Sequence, residues 1–395
     1  MPKNVQFIID TFYENGYEAF MVGGCIRDIL LNKTPTDYDI ATSAPPEVTE
    51  RLFTKTIPTG IQHGTVTVVI DKENYEVTTY RLESEYINNR KPSKVMFVSN
   101  IKEDLSRRDF TINAFAYNDK KGLIDYFQGN NDLNLGIIKC VGIANKRFNE
   151  DALRMLRAIR FSCQLNFDIE KLTYEAIEKN AHLISNISHE RIRTEFSKIL
   201  LSNNAYKGLS LLKSTGILNL ILSLETNINP SIDSLPKDLS TRLSFILLNN
   251  DLNEVNTALR TLTFDNSTIK KSISLLSNFD NISDCDSKYK CKKLIISVGK
   301  ENIYDLISLY STFTNTKLTN IELLINDIIS YNDVLSIKDL NINGTILKDN
   351  FNLVNGKVIG ELLSYLLDEV LKGNINNSES ELLLSAKKYY SKIEA

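Results

Sequence analysis

The chain has 395 residues, 42% of them apolar and 24% charged, with a formal net charge of −3. That length suits two to four domains, and the composition is that of a folded globular protein rather than a disordered or fibrous one. Net negative charge argues against indiscriminate nucleic-acid binding but leaves room for a local basic surface. No apolar run is long enough to span a bilayer, and no charged-then-apolar signal opens the chain. The five cysteines are scattered and the histidines number three, so no zinc spacing emerges. Free thiols point to a reducing cytoplasm.

Residues 4–18 read as a helix with Phe7, Ile8, Thr11 and Phe12 on one side, closing at Gly16. An apolar strand from Phe20 follows, then a Gly23-Gly24 turn and a helix start bearing Arg27 and Asp28. After a loop with Pro35, Asp37-Tyr38-Asp39-Ile40 reads as a second strand. On a strand, residues i and i+2 share a face, so Asp37 and Asp39 stand side by side. Adjacent carboxylates repel unless a cation lies between them. Mg²⁺ prefers one or two carboxylates plus phosphate oxygens. Gly23 and Gly24 let a phosphate approach the backbone, and Arg27 can fork onto its oxygens. Taken singly, a Gly pair is a turn and an Asp-x-Asp a solvated strand end. Together in one short unit they are the equipment of nucleotidyl transfer.

Ala44-Pro45-Pro46-Glu47 opens a helix through about Phe53. Residues 65–70 and 76–81 are β-branched and aromatic, a hairpin around 71–74. Glu76 begins its second strand. Beside Asp37 and Asp39 it would be a third carboxylate, but spacing alone favours a solvent-facing glutamate. Residues 82–95, polar and broken by Pro92, read as a mobile surface loop. The run from Arg107 to Asn113, with Arg108 and Asp109, suits a nucleotide: Arg for phosphate, Asp and Asn for sugar hydroxyls. A charge cluster at a helix start is the alternative. Residues 122–127 form a last short strand, and from about residue 138 helical periodicity takes over.

Asn149 reads as an N-cap followed by Glu150 and Asp151 in a first turn. Asp151 and Arg154, at i and i+3, share a face. Either they pair with each other or they read a base. Asp accepts only and Arg donates only. Cytosine and adenine present an amino donor beside a ring-nitrogen acceptor; uracil and guanine present a carbonyl beside a ring N–H. An Asp–Arg pair therefore matches C and A and rejects U and G. Arg157 and Arg160 continue the basic side of the helix, and a further helix starts at Ser188. Residues 138–202 carry 11 Lys and Arg against 8 Asp and Glu, whereas 1–137 carry 15 against 19. The basic excess thus follows the catalytic unit, where an RNA backbone would need it. The remainder looks helical throughout, with breaks at Gly216, Asn229-Pro230, Pro236 and Asn343-Gly344 and no fixed repeat.

The motifs Gly23-Gly24-Cys25-Ile26-Arg27-Asp28 with Asp37-Tyr38-Asp39, Glu76 to Arg81, Arg107 to Asn113 and Glu150 to Arg154 resemble those of the bacterial class II tRNA nucleotidyltransferases. These are the CCA-adding enzymes, which share their catalytic half with bacterial poly(A) polymerases. The likeness runs over nearly the whole chain and is strongest through about residue 200. It implies an α+β protein: a nucleotidyltransferase head (1–137) with a mixed five-stranded sheet, then an all-α neck (138–202), body (203–275) and tail (276–395). It implies that Asp37 and Asp39 hold Mg²⁺ and that Glu76 is the third active-site carboxylate. It further implies that Arg108, Asp109 and Asn113 serve triphosphate and ribose and that Asp151 and Arg154 read the base. Gly23, Gly24, Arg27, Arg157 and Arg160 complete the expected nucleotide-binding set. The implied substrates are tRNA, CTP and ATP, with no membrane, and either a monomer or a homodimer. Arg81, Glu83, Arg90 and Lys91 make the 82–95 segment look complete, which fits an enzyme able to switch to adding A. The rivals are an enzyme that adds only the terminal A, a poly(A) polymerase and a catalytically inactive RNA-binding module.

Overall fold

The computed structural model describes residues 1–87, 91–351 and 356–393, and for residues 83–94 and 392–393 the backbone only where it describes them. The chain divides into two compact units, one of residues 1–223 with 261–263 and one of 224–260 with 264–395.

The first unit is built on a mixed seven-stranded sheet: β1 (Ala19–Val22), β2 (Asp39–Thr42), β3 (Thr56–Gly60), β4 (Thr65–Ile70), β5 (Glu73–Thr79), β8 (Phe115–Asn118) and β9 (Gly122–Asp125), ordered β3-β4-β5-β2-β1-β8-β9. Only β2 and β5 run parallel; the other neighbours are antiparallel. The expected five strands are therefore seven. β3 reads Thr-Ile-Pro-Thr-Gly and looks like a turn, because Pro and Gly are tolerated at an edge. β8 lies hidden behind the charged run that precedes it. The 82–95 segment is also corrected: β6 (Arg81–Ile87) and β7 (Lys91–Phe97) pair as an antiparallel ribbon from Arg81↔Phe97 to Ile87↔Lys91. The side chains of Glu83 and Lys91, and all of Arg90, lie outside the described residues. The β4–β5 hairpin turns on Asp71 and Lys72, both at positive φ, the primed geometry that matches strand twist.

Alternation along the strands gives the sheet two apolar faces. Ala19, Met21, Ile40, Val68 and Val77 pack with Val5, Ile8, Ile9 and Phe12 of α1 (Lys3–Glu14), Ile26 of α2 (Gly24–Leu30) and Val48 of α3 (Pro46–Leu52). Phe20, Val22, Ala41 and Ala116 face the other way, onto Ile101 and Leu105 of α4 (Ile101–Ser106). The buried stripe of α1 is Val5, Ile8, Ile9 and Phe12, an i, i+3, i+4, i+7 set. Phe7, expected inside, is 57% exposed, with only its ring edge on Phe53. Helices α5 (Gly129–Leu135), α6 (Ala144–Glu150), α7 (Leu153–Leu165), α8 (Lys171–Asn180), α9 (His189–Leu200), α10 (Ala205–Ser214) and α11 (Ile217–Ile221) complete the unit. The helix expected to run from Asn149 through Arg154 is broken: α6 ends at Glu150, Asp151 is extended (φ −138°, ψ 104°), and α7 begins at Leu153. The cap is the Asp151 carboxylate, which accepts the Leu153 N–H at 3.1 Å.

In the second unit the described residues form helices from α12 (Leu239–Leu247) to α20 (Glu379–Ile393). Leu362, Leu366 and Val370 of α19 (Gly356–Lys372) gather Leu347, Leu382 and Ala386 into one core cluster. The four expected breaks fall at element boundaries: Gly216 is left-handed between α10 and α11, Asn229 caps a 3-10 turn (Pro230–Ser234), Pro236 lies between that turn and α12, and Asn343 precedes α18 (Gly344–Phe351). Among the described residues no helix is long and apolar enough to cross a membrane.

Candidate active site

The site grows from the end of β1. Val22 pairs with Asp39, the first residue of β2. On the other side β2 runs parallel to β5 with Ile40 opposite Val77, so one residue earlier Asp39 stands beside Glu76. Asp37 lies just ahead of the strand, not on it, and is exposed. The strand thus starts two residues later than expected, and Asp37 is still close enough to act on the Asp39 carboxyl. Asp39 keeps a flank open to solvent, yet the protein around its carboxyl raises it to about 6. Burial is the main cause, with Asp37 and Glu76 adding to it and Arg108 opposing it. Among the described residues no three acidic, His or Cys side chains form a ready-made cage for an ion.

Immediately after Val22 the chain turns at Gly23, whose φ is +81°. That left-handed backbone favours glycine, and a Cβ there would sit 2.7 Å from Nη1 of Arg108 and push that side-chain tip aside. Its N–H is used within the fold, donating to the Phe115 carbonyl at 3.2 Å. Arg27 donates from Nη1 to Asn113 Oδ1 (2.6 Å), forks onto Asp28 Oδ1 (2.9 and 2.8 Å) and lies over the Phe161 ring. Asn113 in turn donates to Asp109 Oδ1 at 3.2 Å, and Arg157 donates to Asp109 Oδ2 at 2.8 Å. Burial alone would raise the Asp109 carboxyl. The charge and hydrogen bond of Arg157, with Asn113 and Arg154, outweigh burial and hold it at about 2. Arg108 Nε is buried without a hydrogen-bond partner.

Arg108, Asp109, Asp151, Arg154 and Arg157 line one cavity of about 300 Å³, together with Arg107, Leu153 and Arg191. Asp151 and Arg154 are not each other's partners. Arg154 donates to Glu150 Oε2 (2.9 Å) and to the Arg107 carbonyl (2.9 Å), while Asp151 pairs with Arg191. Arg160 is not brought to this cavity; its Nε lies 2.6 Å from Glu195 Oε2 on α9. Sequence reasoning also passed over Asp104, which is fully buried and pairs with Arg107 (2.8 Å) and Arg108 (3.5 Å). Its i, i+3 and i, i+4 spacing to those arginines was the available signal. For Arg191, forty positions from Asp151, spacing carries none.

Three family models match the chain: the poly A polymerase head domain at residues 19–139, the probable RNA and SrmB-binding site of polymerase A at 166–227, and a putative domain 2 of tRNA nucleotidyltransferase at 241–386. The chain is similar to the CCA-adding enzyme of Ligilactobacillus salivarius, with 38% identity over 96% of this chain and 95% of that one. It is similar also to the CCA-adding enzyme of Staphylococcus haemolyticus, with 37% identity over 95% of each. Its fold matches a crystal structure of the Bacillus stearothermophilus CCA-adding enzyme in complex with CTP, with a TM-score of 0.83 and 29% identity over 100% of this chain and 99% of that one.

Proposed function

The chain belongs to the CCA-adding enzymes, and from that premise we propose that it adds C, C and A to tRNA 3′ ends from CTP and ATP without a nucleic-acid template. The observation that carries the base-selecting part of this reading is the cavity in which an acceptor, Asp151, and a donor, Arg154, meet beside Arg108. Each is held by an outside partner rather than by the other, and both line the cavity. The donor–acceptor order suits cytosine and adenine and is unfavourable for uracil and guanine. Arg108 borders both parts of the site: it lines the cavity, crowds Gly23 and lowers Asp39. A triphosphate spanning the two would meet its guanidinium. Asp109 and Asn113, already bonded to each other, are read as the ribose side.

The family uses a divalent metal, and we propose Mg²⁺ held by Asp37 and Asp39. The donor set fits: hard oxygens, with an Asp39 carboxyl whose charge is unfavourable until a cation relieves it. Glu76 stands beside Asp39 as the third carboxylate. When bound, the metal supplies a lowered pKa for the RNA 3′-hydroxyl and charge stabilisation for pyrophosphate. The head, neck, body and tail division remains our reading; its body (203–275) straddles the boundary between the two compact units. The five cysteines, all free and buried, support a cytoplasmic setting.

The deciding assay uses tRNA transcripts lacking three, two or one of the terminal nucleotides, each incubated with a single labelled nucleotide. Full CCA addition requires C on the first two and A on the third. A incorporated only on the third indicates an A-adding enzyme, and long A tracts indicate a poly(A) polymerase.

A further inference from the structure

Asp151 sits between two helices, where no helical turn fixes its side chain. Its orientation comes from elsewhere. Oδ1 accepts the Leu153 N–H at 3.1 Å, and Arg191 of α9 forks onto the carboxylate, Nη1 to Oδ1 at 3.3 Å and Nη2 to Oδ2 at 2.8 Å. The two side chains are only 27% and 18% exposed, and Arg191 forms part of the cavity wall. Four residues on, Glu195 holds Arg160 of α7. Arg191 and Glu195 thus share one face of α9 and clamp the α6–α7 segment at two points of opposite sign.

We propose that Arg191 is a specificity-determining positioning residue: its fork fixes the plane of the Asp151 carboxylate and thereby the rejection of uracil and guanine. The inference rests on base reading by Asp151. A planar guanidinium holding both oxygens leaves one orientation for the carboxylate. The lone pairs not used by Arg191 and Leu153 then face the cavity as fixed acceptors. An amino group meets them favourably, whereas a carbonyl oxygen is repelled. Released from the fork, the carboxylate rotates away from a carbonyl at little cost, and the discrimination weakens. A lysine in this place supplies charge but not the planar fork.

The test uses the full chain, a tRNA lacking only its last nucleotide for ATP and GTP, and one lacking its last two for CTP and UTP. The quantities are kcat/KM for each nucleotide in wild type, Arg191→Met and Arg191→Lys, with a thermal melt of each. In Arg191→Met the ATP-over-GTP and CTP-over-UTP ratios should fall about tenfold or more. Arg191→Lys should stay relaxed even where it folds as well as wild type. A strut between helices lowers the melting temperature and leaves the ratios alone. The double variant Asp151→Asn with Arg191→Met should be no less selective than Asp151→Asn, since one acts through the other. Unchanged ratios in a folded Arg191→Met, wild-type ratios in Arg191→Lys, or additive losses in the double variant would each overturn the proposal. If Asp151→Asn by itself leaves selectivity intact, base reading fails and the proposal falls with it.

Discussion

At the scale of the residue, burial and neighbours decide what each carboxylate can do. Asp39 is raised to about 6 by burial with Asp37 and Glu76, while Asp109 is held at about 2 by its guanidinium partners. The first has like charges for neighbours; the second already has its counter-charge. Asp39→Asn keeps the shape and removes the charge, so the rate should fall at least about 10²-fold, with C and A addition falling together. Single-turnover extension of a tRNA lacking its last two nucleotides, for C, and of one lacking only the last, for A, measures this, and activity within twofold of wild type would remove Asp39 from the site. Arg154 offers the complementary test. Its anchors are Glu150 and the Arg107 carbonyl rather than Asp151. Arg154→Ala should therefore weaken CTP and ATP together and relax rejection of UTP and GTP by roughly 10- to 100-fold. Unchanged ratios among the four nucleotides in a folded variant would defeat its base-reading role. The residue types at these positions were legible from the sequence because their chemistry is unusual at such spacing. Their partners were not, since Arg191 and Glu195 arrive from a helix about forty positions away.

At the scale of the element, what could be read were segments whose own pattern matches their surroundings. The β4–β5 hairpin and α3 carried local turn and proline signals, and both formed. β3 did not, because a Thr-Ile-Pro-Thr-Gly edge owes its strand to pairing with β4. The 81–97 ribbon was misread for the same reason, its polar sequence offering no period to follow. Its two strands pair from Arg81↔Phe97 to Ile87↔Lys91, and at its base the Val98 N–H donates to the Tyr80 carbonyl. Gly or Ser at Glu83, Glu85, Arg90 and Lys91 should leave C addition largely intact and impair A addition. Equal loss of both, measured on the matching transcripts, would point to a folding defect instead. α5 makes a stricter demand. A Cβ on Gly129 would lie 2.2 Å from the Thr111 carbonyl oxygen, in the 3-10 turn that carries Asn113. Backbone cannot yield as a side-chain tip can. Gly129→Ala should cost about 1–3 kcal/mol of stability, read as a lower denaturation midpoint, and a midpoint equal to wild type would show that the turn gives way.

At the scale of the whole molecule, the basic excess of 138–202 divides mainly into arginines paired with acids and lysines open to solvent. Arg147, Arg154, Arg157, Arg160 and Arg191 all face acids: Glu150, Asp109, Glu195 and Asp151. What turns outward is carried by Lys139, Lys146, Lys171, Lys179 and Lys198, all exposed. Composition records the sum of charges, whereas long-range folding decides which are neutralised in pairs. The inward pairs tie the first unit's stability to pH. Asp109 is 8% exposed, and its carboxyl is lowered from 3.8 to about 2. Asp104, also buried, is lowered by Arg107 and Arg108 against the opposing effect of burial. A carboxyl depressed by folding stabilises the native state above its unfolded value and loses that contribution as pH falls through the folded one. For Asp109 the contribution is about 2 kcal/mol, present above about pH 4 and fading as pH drops towards 2. Asp109→Asn has nothing to protonate. It should be less stable at neutral pH, because Arg157 loses its counter-charge, yet its melting temperature should fall less between pH 5 and pH 3. Thermal melts followed by circular dichroism at the two pH values make the comparison. Equal falls in variant and wild type would mean that the Asp109–Arg157 pair does not set the acid limit of this unit.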